Sequence, residues 1–170
     1  MSAVEPILRI PVGVVVERRA ATSPWADFLW RSVAVLDGVP DAQPWTPLET
    51  ADDVVTLYAG SADIALYRSE ADNYRINLVS GAPGLWIALD PTGGDPPYRI
   101  AMVTADPAEG EGLTEPGQSI VDVVAMTDAV RDAVAAFVAE HYVERPFEKR
   151  KRDRANPEAL ARREREQDRR

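Results

Sequence analysis

No cysteine occurs in this sequence. That absence removes disulfides, thiolate metal sites, iron–sulfur ligation and cysteine nucleophiles together. Histidine occurs once, as His141, so no site can rest on two histidines. A Ser-His-Asp arrangement would have to use that residue, and no G-x-S-x-G elbow accompanies it. Lysine is nearly missing too: Lys149 and Lys151 are the two copies, and every other basic residue is arginine. No apolar run approaches the roughly 18 residues of a membrane-spanning helix. The opening "MSAVEPILRIPVGVVVERR" has no basic segment ahead of its apolar part, and Pro11 and Gly13 interrupt it. It reads as a strand and not as a signal peptide, so a cytoplasmic location is the expectation.

What is present is a globular composition, with 45% apolar residues in a chain of 170, enough for one domain with a sizeable core. The net charge of −9 hides a division. Residues 145–170 hold 11 basic and 6 acidic residues, a net of +5, which leaves 8 basic and 22 acidic in residues 1–144, a net of −14. An acidic body repels nucleic acid and anionic membranes at long range. Any such binding would fall to the tail.

Along the body, short strands alternate with turn signals. Strands are expected at about Arg9–Arg18, at Trp30–Leu36 and at Val54–Ala59, the last stopped by Gly60, with an edge segment at Trp45–Glu49 between them. Ser23 and Pro24 suggest a single helical turn. "ADIALYRSEADNYRINLVSG" reads as a β-hairpin, with strands Ile64–Arg68 and Tyr74–Val79 around a polar loop. Three more strands follow in "LWIALD", "YRIAMVTAD" and "SIVDVVAM". The acidic, glycine-rich "PAEGEGLTEPGQ" reads as a long loop. Residues 127–142 switch to helical spacing, with Thr127 as N-cap and one stripe of Val130, Ala133, Val134, Phe137, Val138 and His141.

The pattern predicts an α+β fold, mainly antiparallel β: a barrel or sandwich of seven to eight strands with one C-terminal helix. A pleckstrin-homology-like barrel has that order of elements, an analogy of fold alone. Residues 1–144 are expected to form a single domain, and 145–170 a basic tail, largely disordered or marginally helical.

Chemical signatures are sparse. "GEGLTEPG" has glycines but no lysine, and its glutamates would repel phosphate. The same acids, with Asp106, match no calcium-loop spacing, and a solvated loop is the simpler reading. No catalytic pair can be singled out among 28 acids, no cofactor is implied by any motif, and no metal site is expected. The four tryptophans are expected mostly in the core; an exposed patch of Trp25 with Phe28 is the other reading. The distinctive surface feature is "PFEKRKRDR". Phe147 would be an apolar anchor and Lys149, Arg150, Lys151, Arg152 and Arg154 would read an acidic protein surface. A solvated tail that aids solubility or folds back on its own acidic body is the plainer account, and nucleic-acid binding through so few contacts would be weak and salt-sensitive.

"PVGVVVERR", "SPWADFLWRSVAVL", "YRINLVSGAPGLWI" and "EHYVERPFEKRKRDRANPEAL" together resemble the bacterial domain of unknown function 3305 family, over about residues 10–161. Genes of that family often lie beside those of molybdenum-dependent formate dehydrogenase, and some members are labelled molybdopterin-guanine dinucleotide biosynthesis proteins. The resemblance implies an accessory role in making or supporting such an enzyme and supplies no catalytic residues. A nucleotidyltransferase would need a glycine-rich, basic phosphate loop near its first strand; "PVGVVVERRAATSPW" has one glycine. The expectation is a non-enzymatic accessory or adaptor protein for a molybdenum-dependent dehydrogenase or its maturation factors. The alternatives are a cofactor-handling protein or enzyme of molybdopterin-guanine dinucleotide biosynthesis, with a pocket in the barrel mouth, and a nucleic-acid-binding regulator.

Overall fold

The structure, a computed structural model, describes residues 3–114 and 117–144. The β-branched run "VGVVV" lies in β1 (Leu8–Ala20). A turn leads to β2 (Phe28–Asp37), then β3 (Thr46–Ala51) and β4 (Val54–Leu66). These four form one antiparallel sheet in the order β2-β1-β4-β3. A 3₁₀ turn at Arg68–Glu70 runs into α1 (Ala71–Leu78). The second sheet is β5 (Gly84–Pro91), β6 (Tyr98–Thr104) and β7 (Ile120–Ala125), antiparallel in the order β6-β5-β7. Between its last two strands lies α2 (Pro107–Leu113), and α3 (Asp128–His141) follows it.

The two sheets pack as an open sandwich and do not close into a barrel. The predicted class, mainly antiparallel α+β with a C-terminal helix, is the one observed, with seven strands. Val12, Val14 and Val16 of β1, Ile64 and Leu66 of β4, and Leu85, Ile87 and Leu89 of β5 are fully buried in one core with Val130, Val134 and Phe137 of α3. Burial of each such aliphatic side chain contributes about 1.5–3 kcal/mol. The sheets are joined where β2 runs beside β7: the Ser32 N–H donates to the Asp122 carboxylate at 2.9 Å, and the Thr127 hydroxyl donates to Asp37 at 2.5 Å.

Several local expectations are corrected. The predicted hairpin at 64–79 is the end of β4 followed by α1. Ala71, Tyr74 and Asn77 are the buried residues of α1, spaced three apart, whereas Ile76, expected inward, is 48% exposed. Helical spacing therefore decides the segment, and the alternation of Tyr74, Ile76 and Leu78 is incidental. Gly60 does not stop β4. It takes φ +128°, a region open to glycine, where the pairing of β4 with β1 shifts register beside Val14 and Val15. A second bulge in β2 carries the pairing from Ala34 to Ser32 past Val33. This is why Ser32 and Val35 are both buried despite their odd spacing.

The acidic "loop" begins with a helix. Asp106 accepts from the backbone N–H of Ala108 and Glu109 at 2.9 and 3.4 Å, and Pro107 takes the first turn, the usual N-terminal pattern. The glycine within it has a packing reason: a Cβ on Gly110 would lie 2.2 Å from Cγ of Trp86. Ser23 and Pro24 form a turn and no helix, with the Ser23 hydroxyl accepting from the Trp25 N–H at 3.2 Å. α3 starts as predicted, with the Thr127 hydroxyl accepting from the Val130 N–H at 3.2 Å.

Candidate functional site

An open cleft of about 700 Å³ lies between the start of α1 and the C-terminal end of α3. The chain turns into its rim because β4 ends at Leu66 and the 3₁₀ turn carries Arg68 and Ser69 outward before α1 begins. From α1 come Asp72, Asn73 and Arg75, and from the end of α3 come His141, Tyr142 and Val143. Arg75 is held in place twice: its Nε and Nη2 donate to Asp72 Oδ1 at 3.2 Å, and its guanidinium stacks 4.9 Å over the Tyr142 ring. The His141 side chain is only 10% exposed. Its ring lies 4.4 Å from that of Phe137, and it makes no hydrogen bond among the described residues, Glu140 standing 3.7 Å away. No signal of local sequence brings these groups together; the packing of α1 on α3, with the Tyr74 and Phe137 rings 5.9 Å apart edge-on, does so.

Behind Asn73 lies a dense polar network. The Asn73 amide donates to Glu70 at 3.0 Å and to Asp106 at 3.2 Å. The Thr104 hydroxyl donates to Glu109 at 2.6 Å and accepts from the Asp106 N–H at 3.1 Å. Beside it the Tyr74 hydroxyl accepts from the Tyr67 N–H at 3.0 Å. Burial, only partly opposed by that bond and reinforced by the charges of Asp106, Glu70 and Glu109, pushes the Tyr74 phenol up to about 12. A phenol held neutral so firmly is no general base, and the carboxylates are occupied in capping α2 and anchoring Asn73. The network fixes α1 and α2 against β6. Among the described residues no three acidic or histidine side chains are grouped to hold a metal ion.

The second distinctive surface is the end of the β1–β2 hairpin. Trp25 is 93% exposed, Phe28 42% and Leu29 59%, the exposed patch that is the other sequence reading for Trp25 with Phe28. Trp30 and Trp45 do pack inward, their rings 5.9 Å apart, and Trp86 seats on Gly110. Phe28 is partly covered by the Arg18 guanidinium, 4.5 Å above its ring. Arg19 and Arg31 flank Glu17 at 3.0 and 3.3 Å. The Arg19 hydrogen bond holds Glu17 below the ordinary carboxylate value; slight burial opposes it and Arg31 adds to it. Three of the eight arginines of residues 1–144 thus gather at this end beside exposed apolar side chains.

Residues 11–151 match the family described as Protein of unknown function (DUF3305). The chain belongs to that family. No curated protein and no solved structure matches it. In this DUF3305 protein the residues expected to read a partner, Phe147, Lys149, Arg150, Lys151, Arg152 and Arg154, lie outside the described residues. Val143, 77% exposed, lies just past the end of α3 at the rim of the cleft. Sequence reasoning about the DUF3305 chain missed Arg68, Asn73 and Arg75, because it laid them on a hairpin. The triplet spacing of Ala71, Tyr74 and Asn77 is the signal that could have found them.

Proposed function

We propose that this DUF3305 protein is a non-catalytic accessory protein that docks on an acidic surface of a molybdenum-dependent dehydrogenase or of one of its maturation factors. The observation that supports docking is the end of the β1–β2 hairpin. It offers Trp25, Leu29 and Phe28 beside Arg18, Arg19 and Arg31, the aromatic and arginine composition typical of interface cores. The arginines there stand among Glu17, Asp27 and the Asp52–Asp53 turn, so the net positive charge is that of residues 145–170, a net +5 on a body of net charge −14. The charge of that tail favours an acidic partner by steering encounter. The identity of the partner rests on the family resemblance.

The test uses purified molybdenum-dependent formate dehydrogenase from the same cell, immobilised. The full chain, a chain ending at Glu144 and the Trp25→Ala variant are compared for retention. All three should share one melting temperature, since Trp25 is exposed and the core of the described residues is complete with α3. Retention should fall about tenfold or more in each altered chain, the usual effect of removing an aromatic anchor. Equal retention of all three would overturn docking through these two surfaces, and no retention of the full chain would remove the dehydrogenase itself as the partner.

A further inference from the structure

The cleft between α1 and α3 is a separate feature from the docking surfaces, and its chemistry points to a small ligand. We infer that it is a binding site for a small phosphate-bearing anion. Residues 1–144 contain eight arginines and one histidine among 22 acids, yet Arg68, Arg75 and His141 converge on this one cavity. Its lining carries two guanidiniums against one carboxylate, and that carboxylate, Asp72, is already tied to Arg75. Ser69 and Asn73 also line it, with their donors turned away onto Glu70 and Asp106, so the binding groups are the two guanidiniums and the imidazole.

The independent pointer is His141. Its side chain is nine-tenths buried, lines the cavity, and has no hydrogen-bond partner among the described residues. Its ring nitrogens stay open to the cleft, the one closed-off and unpaired side-chain atom among the described residues being Ser32 Oγ, so a phosphate oxygen there can accept from the imidazole N–H. Arg75 is preorganised by Asp72 and Tyr142, so little side-chain freedom is lost when it binds. Guanidiniums match a phosphate group, whose oxygens can accept from both at once. A volume of about 700 Å³ accommodates a ligand the size of a mononucleotide as well as a free phosphate.

The experiment is calorimetric titration of the full chain with inorganic pyrophosphate and, separately, with adenosine monophosphate, at physiological salt. One saturable site is expected for at least one probe. Arg68→Ser and His141→Phe should each weaken it about tenfold, the loss expected for one charge-assisted hydrogen bond. Melting temperature should stay level for Arg68→Ser, because Arg68 is exposed, so a folding defect cannot mimic that loss. Tighter binding of the nucleotide than of pyrophosphate would place its base in the cleft; equal binding would assign the site to the anion alone. Either supports the site. Absence of saturable binding by both probes overturns it. So does binding that survives Arg68→Ser with His141→Phe but is lost in Lys149→Ser with Lys151→Ser, for the anion would then sit on the tail.

Discussion

Tyr74 shows what one side chain does here. It is 1% exposed, packs edge-on against Phe137, and spends its hydroxyl on the Tyr67 N–H. The folded chain holds the phenol neutral up to about 12, against 10.0 for a free one. Its part of the stability is therefore whole below pH 10 and drains away as pH climbs toward 12, because only the unfolded chain can ionise it freely. Tyr74→Phe should cost about 1 kcal/mol at neutral pH for the lost bond. It should also flatten the decline of the urea midpoint between pH 10 and 12; an unchanged slope would mean that other groups set the alkaline limit. Gly110 teaches a related lesson. A glycine in an acidic stretch reads as loop, yet here it is the hollow that receives Trp86. Only the partner's shape reveals that, and Trp86 lies more than twenty residues away.

At the scale of elements, α1 is the informative case. Its sequence "ADNYRINL" carries two competing periods, and burial selects the helical one. The decision is made by Asn77, a polar residue that alternation places outside. Its amide donates to the Gly84 carbonyl at 2.8 Å and the Ala105 carbonyl at 2.9 Å, and its oxygen accepts from the Gly84 N–H at 3.0 Å. One side chain thus satisfies three backbone groups at the start of β5 and the end of β6. Asn77→Ala leaves all three unpaired and buried, and should lower the unfolding free energy by about 3 kcal/mol, measured by urea denaturation. A loss below about 1 kcal/mol would show that the helix is held by its apolar contacts alone. α2 was legible in principle, since Asp106 and Pro107 are a cap and a first-turn proline. The glycines and glutamates after them drew the reading toward a loop. α3 was legible in full, because its apolar stripe, its cap at Thr127 and its length all agree.

For the whole molecule, the class and the C-terminal helix followed from turn spacing and the change of period. The join between the sheets did not, because sandwiches and barrels share the same alternation and differ in how the last edges meet. The cleft was hidden for the same reason: its walls are 66 to 75 residues apart in sequence and meet only when α1 lies on α3. The charge division was legible, because it needs only counting.

The join between β2 and β7 has a consequence for colloidal behaviour. These are the outer strands of their sheets on that side, and each shields the other from further pairing. No ladder of backbone bonds is shared between them. The contact relies on the Asp122 carboxylate accepting the Ser32 N–H and on Thr127 reaching Asp37. Opening it would free two strand edges without unfolding either sheet. Asp122→Ala should therefore raise light scattering on gentle heating, before the far-ultraviolet circular dichroism changes. If both signals move together, the two sheets open only when the whole domain does. The strongly negative body, whose copies repel one another, then gains a second meaning: it holds apart molecules whose seam has briefly come undone.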